Sequence, residues 1–303
     1  MYRRTTVLII VAILWAVGPI LGQENQADES SSLSTKPQGQ LRYVNPLVME
    51  NAGRLADPTV IKFQETYYLY LTGGVSPGGR LGAAVWSSTD LVNWKHNDVS
   101  IEGGRGIGAP TAFEYQGYVY LAGNDTGLFR SRNPLGPFEF FGDFVDEHGH
   151  RLERSLHDFC RGCADGGVFD AAVFVDEDSR VYLYYAGGGG DGVYGVELDS
   201  SNLRKFVGPA KHFFRFEPSH IWERYGSRNE MSTQSWIEGP WITKHSGTYY
   251  LQYAAPGTEW KTYGIGVYTS QDPLGPFDYY DGSPILVHDG GLINGSGHHS
   301  VVE

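Results

Sequence analysis

The chain of 303 residues is long enough for one large domain or two small ones. Its formal net charge of −12, with no Lys/Arg cluster in the body of the chain, argues against a nucleic-acid partner, because an acidic surface repels phosphate backbones. Aromatic residues make up 14% of the sequence and glycines number 41, which favours a β-sandwich, β-barrel or β-propeller over a helical fold.

The first segment, residues 1–22, has the features of an export signal. A basic start, Arg3-Arg4, precedes an apolar core at 7–17 that is short for a membrane span. The polar, Ser-rich residues 23–40 are typical of a flexible tether. We therefore expect a secreted or periplasmic protein with no membrane partner; an uncleaved N-terminal anchor is the alternative.

A repeated layout organises residues 41–303. Each repeat has a leading residue, an apolar pair at the third and fourth positions after it, a polar turn and an aromatic-rich strand. The four segments are DPTVIKFQETYYLYLTG from Asp57, APTAFEYQGYVYLAG from Ala109, DAAVFVDEDSRVYLYYAG from Asp170 and EGPWITKHSGTYYLQYA from Glu238. The apolar pairs are Val60-Ile61, Ala112-Phe113, Val173-Phe174 and Trp241-Ile242. Each segment predicts a β-hairpin of two short strands.

The tail fits the same layout with His298 as the fifth leading residue, because Val301-Val302 then occupy the apolar positions. The near copies SRNPLGPFEFF from Ser131 and SQDPLGPFDYY from Ser270 show that the second half of the unit repeats as well. A unit of about four strands is the size of a propeller blade. The sequence thus predicts an all-β, five-bladed β-propeller over residues 41–303, C-terminally incomplete, with its fifth blade truncated after the first strand.

Three acidic leading residues are the main functional signal. The innermost strands of a propeller surround a channel, so the repeat is expected to carry Asp57, Asp170 and Glu238 to one mouth at the same register. An isolated acid often only caps a turn, but like charges held close together cost stability and are kept mainly where chemistry uses them. Glycoside hydrolysis needs such a set: one carboxylic acid protonates the leaving oxygen, and one carboxylate activates water or attacks.

Four motifs resemble the ordered signatures of glycoside hydrolase family 43. They are Ala-Asp-Pro-Thr-Val-Ile at 56–61, Phe-Asp-Ala-Ala-Val-Phe at 169–174, Ile-Glu-Gly-Pro-Trp at 237–241 and Gly-x-Gly-His at 295–298. The resemblance implies an inverting glycosidase with Asp57 as general base and Glu238 as general acid. Asp170 would raise the pKa of Glu238 and orient it. The implied partner is an oligo- or polysaccharide of the plant cell wall, and the implied activity is that of a β-xylosidase or an α-L-arabinofuranosidase.

The resemblance also implies that His298 approaches a structural calcium ion in the central channel, while the chemistry itself needs no cofactor. A His beside Gly and Ser is otherwise a common turn residue, and imidazole is not a typical calcium ligand. His299 is the weaker candidate because it breaks the spacing to the apolar pair.

Other motifs carry weaker interpretations. Cys160 and Cys163 form a C-x-x-C, for which a local disulfide or two idle thiols is favoured over a zinc site. The triplets from Asn124 and Asn294 match glycosylation acceptors, as short triplets often do by chance. Aromatic candidates for sugar contact, each expected more often in the core, are Trp86, Phe113, Trp222, Trp236 and Trp260. Arg105 and Arg130 are weaker candidates for contact with sugar hydroxyls.

Two other functions remain open. A non-catalytic sugar-binding or interaction propeller has no reason to keep a general acid at Glu238. A retaining five-bladed glycosidase of the fructan type is disfavoured because neither Asn-Asp-Pro-Asn nor Arg-Asp-Pro stands at a leading position.

Overall fold

The described part of the chain excludes several of the predicted segments. The computed structural model describes residues 8–10, 56–75, 81–104, 106–124, 126–152, 168–287 and 294–302. Most of the predicted export signal and the whole predicted tether lie outside these residues, as do Cys160, Cys163 and Arg105. Among the described residues, no helix is both long enough and apolar enough to cross a membrane.

Four antiparallel sheets, called blades 1 to 4 in chain order, form the body of the fold. Blade 1 contains β2 (Ala56–Phe63), β3 (Thr66–Val75), β4 (Leu81–Ser88) and β5 (Lys95–Asn97). Blade 2 contains β6 (Gly108–Tyr115), β7 (Tyr118–Asn124), β8 (Leu128–Ser131) and β9 (Glu139–Gly142). Blade 3 contains β10 (Phe169–Val175), β11 (Val181–Ala186), β12 (Val193–Asp199), β13 (Asn202–Phe206) and β14 (Lys211–Phe214). Blade 4 contains β15 (Glu238–His245), β16 (Thr248–Ala255), β17 (Gly264–Ser270) and β18 (Asp278–Tyr279).

A fifth unit begins with β19 (Ser300–Val302), which lies between β15 of blade 4 and β2 of blade 1. β19 pairs with a short strand near the start of the chain, β1 (Leu8–Ile10). Val302 packs in the same hydrophobic cluster as Leu69 and Leu71 of blade 1. The predicted five-bladed arrangement, with its fifth blade represented by the first strand, is confirmed.

Two of the predicted hairpins close in turns where two successive residues have positive φ, the second of them a glycine. Gln116 and Gly117, between β6 and β7, have φ values of 51° and 76°. Ser246 and Gly247, between β15 and β16, have φ values of 51° and 82°. Two successive positive φ angles define a type I′ turn, whose twist matches that of the flanking strands. These turns set the register of the inner hairpins of blades 2 and 4.

The inner strands line an open cavity of about 410 Å³. Its wall includes one equivalent apolar residue from each inner strand: Val60, Ala112, Val173, Ile242 and Val301. One of the apolar positions of each inner strand therefore faces this cavity. The leading residues do not line this cavity and lie at the other end of the channel.

The near-copy segments connect neighbouring blades. The buried Tyr70 of blade 1 donates a hydrogen bond to the carbonyl oxygen of Pro134, in the first copy, at 2.7 Å. The buried Tyr184 of blade 3 donates to the carbonyl oxygen of Pro273, in the second copy, at 2.6 Å. The repeated sequence thus presents the same backbone acceptor to the preceding blade in both places.

Candidate active site

Each inner strand has, within two residues of its first residue, a position whose backbone is left-handed. The φ values are 52° at Asp57, 41° at Ala109, 46° at Asp170, 54° at Gly239 and 50° at His298. In each of the four complete blades, the first strand shows a register shift at this point. A bulge of this kind turns the backbone and re-aims the side chain beside it. The bulges therefore direct the leading side chains toward the channel mouth.

The prediction that all three acids share one register is wrong for Glu238. Glu238 pairs with Ala254 as Ala56 pairs with Thr72, so it stands one position before the left-handed residue, which is Gly239. The apolar pair of blade 4 shifts with it, because Ile242 rather than Trp241 is equivalent to Val60. The physical reason is the glycine. Gly239 adopts φ 54° without a Cβ, and a Cβ there would lie 2.9 Å from Cγ of His298.

Asp57 and Asp170 meet at His298. Nδ1 of His298 lies 3.1 Å from Oδ1 of Asp57 and 3.6 Å from Oδ2 of Asp170. Burial alone would lower the pKa of His298, but the two carboxylates outweigh it and raise that pKa to about 10. Burial likewise favours neutral Asp57, yet the charge and hydrogen bond of His298 and a hydrogen bond from Thr72 bring the pKa of Asp57 below its usual value. Asp57 is therefore an ionised carboxylate at neutral pH.

Asp170 is held by Asn124, a residue that the sequence analysis treated only as a chance glycosylation triplet. Nδ2 of Asn124 donates to Oδ1 of Asp170 at 2.9 Å, and the backbone N–H of Asp170 donates to Oδ1 of Asn124 at 2.6 Å. Burial and the nearby charge of Asp57 raise the pKa of Asp170 in spite of His298 and Asn124. The repeat contains an equivalent of Asn124. Thr72 occupies the corresponding position of blade 1, and its Oγ1 accepts a hydrogen bond from the N–H of Ala109.

Glu238 is buried and favours its protonated form. Its side chain accepts a hydrogen bond at Oε1 from Oη of Tyr263, 2.7 Å away. Burial, followed by the charge of Asp170, raises the pKa of Glu238 to about 8, although His298 and Tyr263 act in the opposite direction. A carboxylic acid that keeps its proton at neutral pH can donate it to a leaving group.

The sequence analysis also missed Tyr263, which lies in the loop before β17. One indirect signal was present, the second glycine of Gly-x-Gly-His. A Cβ at Gly297 would lie 2.1 Å from Cε1 of Tyr263, so this position has room only for glycine. The motif therefore accommodates the tyrosine ring as well as presenting His298.

His299 points away from the acids. Its Nε2 lies 2.5 Å from Oε1 of Gln252, and its side chain is buried. Burial, with the charge of His298, lowers the pKa of His299 to about 3, so the ring is neutral. Of the two adjacent histidines, His298 is thus the one that faces Asp57 and Asp170.

The described side chains around His298 do not fit a calcium ion. Within the described ranges, no group of three or more His, Cys, Asp or Glu side chains could hold a metal ion. Calcium takes roughly six to eight oxygen ligands, whereas His298 offers nitrogen. The prediction of a channel cation at His298 stays untested, and no step proposed below depends on one.

Most of the aromatic candidates pack in the body of the blades. Trp86 is buried against His96, Phe113 stacks on Tyr120, and Trp222 donates from Nε1 to Oη of Tyr279. Arg130 lies over the rings of Tyr118 and Phe141. These side chains are therefore engaged away from the three acids.

Trp236 is the aromatic candidate placed beside the acids. It stands two residues before Glu238, and its ring meets the edge of Phe169, which precedes Asp170, at a centroid distance of 6.1 Å. Both residues are partly exposed. They form an apolar border next to Asp170 and Glu238. Trp260, in contrast, packs near Tyr225.

Comparison with known proteins shows the family of the chain. Residues 43–303 match the family described as glycosyl hydrolases family 43. A β-D-galactofuranosidase of Aspergillus niger is 25% identical, over 82% of this chain and 70% of that protein. An arabinoxylan arabinofuranohydrolase of Bacillus subtilis is 27% identical, over 88% of this chain and 56% of that protein, so the chain spans about half of its length. The crystal structure of a thermostable family-43 glycoside hydrolase has a TM-score of 0.64 and 27% identity, with 86% of this chain and 82% of that chain covered.

Proposed function

We propose that this chain, which belongs to glycosyl hydrolases family 43, cleaves O-glycosidic bonds by general acid and base catalysis. Glu238 is the acid, Asp57 is the base, and Asp170 keeps Glu238 protonated. The observation that supports these roles is the opposite direction of two pKa shifts at one channel mouth, lowered at Asp57 and raised to about 8 at Glu238. An enzyme that uses two carboxyl groups as acid and base needs this separation.

The proposed reaction is a single displacement at the anomeric carbon. Glu238 transfers its proton to the glycosidic oxygen as the bond from that oxygen to the anomeric carbon breaks. Asp57 accepts a proton from water as the water oxygen bonds to the same carbon from the opposite face. The product sugar therefore has inverted configuration, and solvent exchange returns the proton from Asp57 to Glu238. Asp170, fixed by Asn124, contributes the negative charge that disfavours ionised Glu238.

The proposed substrates are xylan- or arabinan-type polysaccharides of plant cell walls. The Bacillus subtilis relative is named for arabinofuranose release from arabinoxylan, and the Aspergillus niger relative is named for a different furanoside. Both names concern five-membered sugar rings, so an α-L-arabinofuranoside is the substrate class proposed first. A β-xyloside is the second candidate.

The test is a panel of p-nitrophenyl glycosides and arabinoxylan, assayed with the wild-type chain, Glu238→Gln and Asp57→Asn. We expect the arabinofuranoside to react fastest. Glu238→Gln should lose about 10²–10⁴-fold on arabinoxylan but much less on the aryl substrate, whose leaving group needs little protonation. Asp57→Asn should lose activity on both, because both need activated water.

Two results would count against the proposal. Equal losses of the Glu238→Gln variant on the two substrates would contradict its role as the acid. Wild-type protein that binds arabinoxylan but hydrolyses no member of the panel would instead indicate a non-catalytic sugar-binding propeller.

A further inference from the structure

We propose that Tyr263 is a positioning residue that holds Oε1 of Glu238 as a hydrogen-bond acceptor, so that the transferable proton lies on Oε2. The inference rests on the proposed role of Glu238 as the acid. It starts from one contact, the 2.7 Å hydrogen bond that Oη of Tyr263 donates to Oε1 of Glu238. Both side chains are buried, with residue exposures of 3% and 7%.

The contact distinguishes the two oxygens of the acid. A protonated carboxyl group has one hydroxyl oxygen and one carbonyl oxygen, and the carbonyl oxygen is the better acceptor. Burial and the charge of Glu238 keep the pKa of Tyr263 well above its usual value, so the phenol stays a donor. With Oε1 accepting from this fixed donor, the acidic proton is placed on Oε2.

Tyr263 itself has little freedom to move. Its ring lies over Gly297, where a Cβ would come within 2.1 Å of Cε1. Its backbone N–H donates to the carbonyl oxygen of Trp260 at 3.0 Å, which closes a turn just before β17. The ring is thus held between the loop of blade 4 and the Gly-x-Gly-His segment that also presents His298.

The contact has a direct consequence for catalysis. A hydrogen bond to a carboxylate stabilises the ionised form more than the neutral form. The bond from Tyr263 therefore strengthens as Glu238 loses its proton to the leaving group. Removing it should slow proton transfer and, at the same time, make Glu238 a weaker acid.

Other charged and titratable groups around Glu238 remain in place when only the phenol is removed. Asp170 and Asp57 raise the pKa of Glu238, His298 lowers it, and Tyr225 faces it from the loop before β15. None of these is altered by a Tyr263→Phe substitution. A change in the pH profile can therefore be assigned to the lost hydrogen bond.

The test compares kcat and kcat/KM as functions of pH for wild type, Tyr263→Phe and a matched control, Tyr253→Phe. Tyr253 is a buried tyrosine of the same blade whose phenol bonds Glu223 instead. The wild-type rate should fall above a pH of about 8, where Glu238 ionises. In Tyr263→Phe this fall should move upward by about one pH unit, and kcat on arabinoxylan should drop about tenfold. In the Tyr253→Phe control, the rate should fall at the same pH as in the wild-type protein.

If the fall in rate at high pH stays in place or moves to lower pH in Tyr263→Phe, or moves equally in the control, the inference is wrong. Activity of the wild-type protein would still support the proposed function in that case.

A second measurement applies if the Tyr263→Phe variant does not fold. The infrared difference spectrum between wild type and Glu238→Gln at pH 6 contains the C=O stretch of protonated Glu238. A frequency lowered by hydrogen bonding supports the inference, and the frequency of a free carboxyl group contradicts it, whether or not the protein proves to be a glycosidase.

Discussion

Five residues around the channel mouth adopt left-handed backbone, and four of them carry a side chain. A non-glycine residue in this region costs about 1–2 kcal/mol. Asp57, Asp170 and His298 adopt it at the place where their side chains meet. Gly239 is the exception, because its neighbour Glu238 supplies the side chain and His298 occupies the space beside its Cα.

Gly239→Ala should lower the free energy of unfolding by about 2 kcal/mol, since the new Cβ adds backbone strain and meets His298. Activity should fall too, because His298 must shift from Asp57. The matched control is Ala109→Gly at the equivalent position of blade 2. There, relief of strain of about 1 kcal/mol is offset by the extra freedom of glycine in the unfolded chain, so little net change is expected. Urea unfolding measures both, and an equally stable Gly239→Ala variant would contradict the account.

At the scale of single residues, the sequence predicted Asp57, Asp170 and His298 because each stands at the repeated position, and it predicted Glu238 from its short motif, one residue before that position. It did not predict Asn124 or Tyr263. Both act through contacts with residues far away in the chain, 46 residues for Asn124 to Asp170 and 25 for Tyr263 to Glu238. Local spacing cannot show such pairs before the blades are assembled.

The near-copy segments in the second half of the repeat make hydrogen bonds between neighbouring blades. Tyr184 on β11 donates to Pro273 of the next blade, whereas Oη of Tyr182, two residues earlier on the same strand, is buried without a hydrogen-bond partner. Both tyrosines have a residue exposure of 0%. The strand therefore contains two matched tyrosines that differ in whether the hydroxyl is paired.

Tyr184→Phe should destabilise the protein by about 1–3 kcal/mol, because it removes a buried hydrogen bond and leaves the carbonyl of Pro273 unpaired. Tyr182→Phe should be neutral or slightly stabilising, since the lost hydroxyl has no partner. Thermal or urea unfolding of the two variants gives the comparison. Equal destabilisation would mean that ring packing, and not the hydroxyl contact, dominates at this interface.

The elements themselves were largely predictable. Hairpins were expected from the apolar pair, polar turn and aromatic-rich strand of each repeat, and the four-strand units were expected from the repeated Ser-x-x-Pro-Leu-Gly-Pro-Phe segments. The register of blade 4 was not predicted, because the apolar pair Trp241-Ile242 favours Glu238 as the leading residue, whereas Gly239 occupies that position in the structure. The choice depends on which of them adopts positive φ beside His298, a contact with another blade.

The ring of blades brings together ionisable groups from distant parts of the chain and so determines which of them are charged. Three carboxyl groups converge on a single imidazole that is protonated at neutral pH. Nδ1 of His298 lies closer to Asp57, at 3.1 Å, than to Asp170, at 3.6 Å. The positive charge of the imidazole therefore stabilises ionised Asp57 most. Glu238 is buried beside Asp170 and keeps its proton. The closed arrangement of blades thus separates an ionised base from a neutral acid, although both are the same kind of group.

We expect Asp57 to activate water and not to attack the sugar itself. The most direct test is proton NMR of the first sugar released from an aryl arabinofuranoside, recorded before mutarotation. The account predicts inverted anomeric configuration, with the carboxyl groups of Asp57 and Glu238 about 6.5–9.5 Å apart to admit water. Retained configuration would contradict it, because that outcome requires a covalent intermediate on Asp57.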